Sequence, residues 1–127
     1  DLSYNWAVTN AISSQAWIKA SDADVISENI VSAQFKIKGY LNVDYPDAST
    51  VWTVGETRPI TWTAVGTPSG GEFDQVKITY TTGTNWADIG TFANVSGTQS
   101  TPWTVADASS DDCRIKIETD DWENISV

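Results

Sequence analysis

From Ser100 to Ile117 the chain reads STPWTVADASSDDCRIKI, and from Ser3 to Ala20 it reads SYNWAVTNAISSQAWIKA. Laid over each other at a shift of 97 positions, they bring Trp6 onto Trp103, Val8 onto Val105, Ala11 onto Ala108 and Ser13 onto Ser110. Ile18-Lys19 falls on Ile115-Lys116 and Asp24 on Asp121. After a two-residue deletion, Glu28-Asn29-Ile30 falls on Glu123-Asn124-Ile125. Two Trp-x-Val pairs and two Ile-Lys pairs at one spacing do not arise readily by chance. The period is that of a whole small domain, well above the roughly 20–50 residues of solenoid units. The chain therefore reads as residues 1–38, the C-terminal part of a preceding repeat, and residues 39–127, most of a second one.

The matched stretch ends in a strand pattern. Cys113, Ile115 and Ile117 alternate with Arg114, Lys116 and Glu118, the signature of a half-buried strand. The same alternation marks Phe35 and Ile37, then Leu41, Val43 and Tyr45. It returns at Ile60, Trp62 and Ala64, and at Val76, Ile78 and Tyr80. Between these runs lie turn signals such as Tyr45-Pro46-Asp47, Val54-Gly55-Glu56 and Thr82-Gly83-Thr84, and no stretch holds a helical period. Many short strands with frequent turns predict an all-β fold, an antiparallel β-sandwich. Val31–Lys38 is expected to close the first unit and Tyr40–Tyr45 to open the second. Trp62 is expected to anchor the core, and Trp52 and Val54 to form a short strand before Gly55.

Composition narrows the function classes. Among 127 residues the formal net charge is −10, which argues against nucleic acid or an anionic membrane as partner. Six of the seven basic residues, all but Arg58, fall on outward faces of predicted strands and read as solvated edge protection. No run of about eighteen apolar residues is present, so no membrane-inserted helix is expected. The start at Asp1 reads as a processed or excised chain. Histidine is absent, which removes the commonest general base and metal ligand together. With no nucleophile and no opposed carboxylate pair in evidence, the expectation is a protein that is not an enzyme.

Several segments together resemble a known family: VWTVGETRPITWTAVGT from Val51, VKITYTTGTNWADIG from Val76 and TPWTVADASSDDCRIKI from Thr101. Their order and spacing are similar to the immunoglobulin-like domain of the Ser/Thr-rich GPI-anchored family. That family includes fungal cell-wall β-glucan-assembly proteins, and similar domains repeat in bacterial and archaeal surface proteins. The resemblance covers roughly residues 41–119. This chain departs from it at Asp47-Ala48-Ser49-Thr50 and Thr82-Gly83-Thr84-Asn85, where the family often carries glycine-rich turns. It implies an immunoglobulin-like sandwich, an extracellular or cell-surface location and a structural, non-catalytic role.

Candidate sites are few. Asp22, Asp24, Asp120 and Asp121 are weak calcium candidates, because clustered loop carboxylates suit a hard cation. Solvated turn residues are the plainer reading, and no other cofactor is indicated. Trp17 stands on the polar face of its strand, where the repeat has Arg114, and is expected to cover a neighbouring repeat or an identical subunit. Seven Trp also admit a glycan as partner, through a carbohydrate-binding or adhesin module. Cys113, matched by Ala16, is expected to be a small buried filler. Asn94-Val95-Ser96 and Asn124-Ile125-Ser126 are glycosylation sequons.

The second unit reaches Val127 where the first runs on into a further strand, so it is expected to lack its last strand. Two remedies follow. Either the parent chain continues as a tandem array, or another chain donates its segment holding Val31, Phe35 and Ile37 by β-strand addition, head to tail.

Overall fold

The computed structural model describes residues 2–9, 12–67 and 73–119. The described chain is all-β, in ten strands. Six of them form a sandwich: β5 (Tyr40–Tyr45), β6 (Thr57–Val65), β7 (Gln75–Thr81), β8 (Trp86–Ala93), β9 (Gly97–Thr104) and β10 (Arg114–Thr119). One antiparallel sheet has the order β5-β6-β9 and the other β10-β7-β8. The chain thus builds β5–β6, crosses to β7–β8, returns to β9 and crosses again to β10.

The alternation read in the sequence is what packs these sheets. Leu41, Ile60, Trp62 and Ala64 from the first sheet meet Val76, Ile78 and Ile117 from the second in one buried cluster. Registers keep the inward residues together: Leu41 lies opposite Ala64, Val43 opposite Trp62, and Ile117 opposite Ile78. Pro59 lies outside the stretch of β6 that β5 covers, so its missing N–H breaks no rung on that side. Phe73 completes the core from a position with no strand pattern. Its ring is fully buried, its φ is 61°, and a Cβ on Gly39 would lie 2.7 Å from it. Gly39 therefore lets the chain enter β5 across the face of that ring.

One end of the sandwich is closed by aromatic rings. Trp103 of β9 stands 5.0 Å from Tyr80 of β7 and 6.0 Å from Trp52, ring centre to ring centre. Trp52 meets Tyr45 edge-on at 5.5 Å, and its Nε1 donates to the Tyr45 hydroxyl at 3.1 Å. The short strand expected at Trp52 and Val54 is instead a closed turn. Thr53 N donates to the Glu56 carboxylate and Glu56 N returns a bond to the Thr53 carbonyl, which bends the chain before it can extend.

The stretch from Ser13 to Ile37 forms a hairpin arm. β1 (Ser13–Ala16) pairs with β4 (Phe35–Ile37), and β2 (Lys19–Ser21) pairs with β3 (Asn29–Val31), both antiparallel. The single strand expected over Val31–Lys38 is thus two strands. Side chains add to the backbone bonding at the break: beside the Ser32 N to Ile18 carbonyl bond at 2.8 Å, Ser32 Oγ accepts from Ile18 N at 2.9 Å, and Gln34 Nε2 donates to the Ser14 carbonyl at 3.1 Å. None of the described residues before Leu41 is buried. The arm meets the sandwich through Ile12, which packs against the core beside Gly66. Gly66 has φ 124°, and a Cβ there would stand 2.7 Å from Ile12 Cδ1.

Candidate functional site

Two features stand out: an edge of β10 with no strand beside it among the described residues, and an arm whose sequence matches part of that strand. β10 pairs with β7 on one side, with Arg114 opposite Thr81 and Thr119 opposite Val76. On its other side no strand pairs with it among the described residues. The loop leading into β10 is fixed. Ser110 Oγ donates to the Thr82 carbonyl at 3.0 Å, and Arg114 pairs with Asp112 at 3.4 Å. Such a row of unpaired backbone groups is a template for another strand.

Cys113, just before β10, is exposed, which corrects the buried filler expected from its alternation with Ile115 and Ile117. The reason is visible in the arm. Its counterpart Ala16 is half-buried because Phe35 of β4 stands opposite it. Cys113 has no described strand at that side. Cys113 lies just outside the strand, and its thiol reaches only the Ser110 carbonyl, at 3.5 Å.

The four residues expected at an interface all lie on the arm. Trp17 sits at the break between β1 and β2 and is 53% exposed; Val31 ends β3 and is 57% exposed. Phe35 and Ile37 lie on β4, half-buried. Ile37 borders a groove between arm and sandwich, with Ile12, Tyr40 and Val65. Ile18 and Ile30 are exposed as well, so the ribbon carries apolar surface that nothing described covers.

The calcium candidates are not brought together. Asp22 turns the hairpin loop: its Oδ1 accepts from Asp24 N at 2.8 Å and Val25 N at 2.9 Å. Those two backbone donors, Val25 first, hold its carboxyl below the ordinary range. Asp24 is exposed two residues away, and Asp120 and Asp121 lie outside the described residues. Among the described residues no three His, Cys, Asp or Glu side chains gather where a metal ion could be held.

Two further carboxylates are tied down like Asp22. Asp47 sits below its ordinary range because the side chain and then the backbone of Ser49 donate to it. Glu56 is lowered chiefly by its two hydrogen bonds from Arg58. A folded-state value below the unfolded one contributes stability that is complete above the unfolded value and is lost as pH falls through the folded one. All three contributions are therefore expected to fade below about pH 4. NMR titration of these side chains checks this; a midpoint at or above the ordinary range for Asp22 would contradict the loop geometry.

Exposed aromatics are spoken for unevenly. Trp86 of β8 carries the Lys116 ammonium 4.7 Å from its ring centre, across the outer face of β7. Thr79 and Thr81 lie between them and are buried, although the alternation places them outward. Trp6 is exposed, unlike its counterpart Trp103 in the aromatic cluster.

The first sequon is not available in the folded chain. Asn94 is buried: its Nδ2 donates to the Phe73 carbonyl at 2.9 Å, and its Oδ1 accepts from Trp62 Nε1 at 3.2 Å and Gln99 Nε2 at 3.0 Å. No sequence pattern marks this network, because its members come from three separate segments. The second sequon lies outside the described residues.

Among the described residues no helix is long and apolar enough to cross a membrane. Comparison of the chain with protein-family models, with curated proteins and with solved structures finds no match.

Proposed function

We propose that this chain is a structural, immunoglobulin-like β-sandwich repeat of an extracellular surface or filament protein, joined to like units through the open edge of β10. The strand order supports the immunoglobulin-like reading. In that fold one sheet holds strands A, B and E, and the other holds C and F with C′ beyond C in some members. Here β5-β6-β9 and β10-β7-β8 occupy those places in that order. The place beyond F belongs to the last strand, G, and it falls on the outer edge of β10.

The observation that carries the joining role is the pairing inside the arm. In the arm β2, the counterpart of part of β10, pairs with β3, the strand that follows it in the chain, whereas β10 pairs with β7 and has no strand on its other edge among the described residues. The reading is not of an enzyme, and it needs no cofactor. Light scattering of the chain over a concentration series, with electron microscopy of the same samples, tests it. Mass that rises with concentration and regular head-to-tail assemblies are expected. A monomer of 13.8 kDa at every concentration would contradict it.

A further inference from the structure

We infer that Ile12 is the pin of a locked joint, which holds the arm at one fixed angle to the sandwich and so sets the direction in which one repeat follows another. It draws on the proposed reading only in taking the arm as the end of a preceding repeat. The joint itself lies within one chain and does not involve the pairing of β10.

The covalent connection alone is a hinge. Only Lys38 and Gly39 lie between the end of β4 and the start of β5. Glycine leaves the backbone free to turn at such a point, and units that share little interface move relative to each other by default. That freedom is removed by a second crossing of the seam, far upstream in the chain.

Ile12, the residue before β1, packs against the core cluster of the sandwich. It does so over Gly66, the residue after β6. A Cβ on Gly66 would stand 2.7 Å from Ile12 Cδ1, 3.1 Å from its Cγ1 and 3.2 Å from Gly39 Cα. Gly39 lies in turn against the buried Phe73 ring, which a Cβ there would meet at 2.7 Å. Two bare backbones, Gly66 and Gly39, thus let the Ile12 side chain and the Phe73 ring close in on one point of the seam. Packed apolar contacts of this kind take discrete arrangements and do not deform continuously.

The repeat separates the needs of the joint from those of the arm. The counterpart of Ile12 is Ser109, which is exposed on the sandwich. The approach to that strand therefore has no requirement of its own for an apolar side chain at this position. Ile12 is apolar where it meets the sandwich.

Cys113, the chain's single cysteine, is exposed on the sandwich, and Ile26 is 71% exposed in the loop between β2 and β3. Spin labels on Cys113 and on Ile26→Cys report arm against sandwich by pulsed electron paramagnetic resonance. The labelled full chain is diluted with unlabelled protein, so that only distances within one chain are read. One narrow distance distribution is expected. Ile12→Ser, which installs the counterpart's residue, is expected to broaden it several-fold. Ile12→Val keeps most of the apolar volume and should leave it narrow. Ile30→Ser, at an exposed place on the arm, should change nothing. Hydrogen exchange of the β6 and β7 amides, protected alike in every variant, shows that the sandwich is intact. A broad distribution in the parent, an Ile12→Ser distribution as narrow as the parent's, or equal broadening by Ile30→Ser would overturn the inference. Loss of β6 and β7 protection in Ile12→Ser would overturn it too, by making Ile12 a core residue. Assembly through β10 is read separately by the scattering experiment, so either conclusion can fail without the other.

Discussion

Trp62→Ala is expected to lower the unfolding free energy by about 3–5 kcal/mol, the usual cost of emptying a buried aromatic site. Trp62 is 2% exposed and lies where the two sheets meet, with Val43 opposite it and Ile60 and Ala64 on the same face of β6. Its neighbours come from both sheets, so neither can close over the void without opening the other. Loss of the indole also removes one of the two donors to Asn94 Oδ1. A small domain has only about 5–15 kcal/mol in total, so a large part of its stability would go. Urea unfolding followed by circular dichroism measures the change. A loss below about 1 kcal/mol would place Trp62 outside the core.

Asn94→Ala is the second large effect, expected at about 2–4 kcal/mol, although only a few polar atoms are removed. Three groups lose a partner: the Trp62 indole N–H, the Phe73 carbonyl and one bond of the Gln99 amide. Gln99 keeps its bonds to Val95, donating to the carbonyl at 2.6 Å and accepting from the N–H at 2.9 Å. The penalty therefore falls mainly on the buried indole and the Phe73 carbonyl, each of which loses the bond to the amide. Trp62→Phe separates the two effects, because it keeps most of the ring volume and deletes only the indole bond. The same unfolding experiment reads both, and Asn94→Ala should cost more than Trp62→Phe if the Phe73 carbonyl matters as argued. Equal stability of Asn94→Ala and the parent chain would mean the network is not holding the core.

These two residues also show what the sequence makes legible. Trp62 is plain from Ile60-Thr61-Trp62-Thr63-Ala64, since period-two alternation on a half-buried sheet is local information. Val76, Ile78 and Ile117 are equally plain, and so is the sandwich they build. Asn94 reads as a surface sequon because its partners, Trp62, Phe73 and Gln99, are scattered along the chain. Phe73 has no pattern at all; Gly39, far upstream, creates the space its ring fills.

The edge of the molecule is where alternation misleads. Cys113 carries the inward phase of its strand, but phase fixes only a direction, and cover needs a neighbouring strand. Val31–Lys38 reads as one strand because Ser32 and Gln34 are ordinary outward residues by pattern. Their side chains nevertheless bond to backbone groups at the break. Asp22 is a turn former by composition, and only the geometry shows that the loop already uses its carboxylate.

The proposed joining role requires the outer edge of β10 to be unpaired in the lone chain and paired in an assembly. Hydrogen exchange of the β10 amides, followed residue by residue across a dilution series, tests this most directly. Alternate amides, those pointing away from β7, should exchange quickly in dilute monomer and slow as the assembled fraction rises, while those bonded to β7 stay protected throughout. Full protection of every β10 amide in the monomer, or fast exchange at the outer amides that persists in assembled protein, would contradict it.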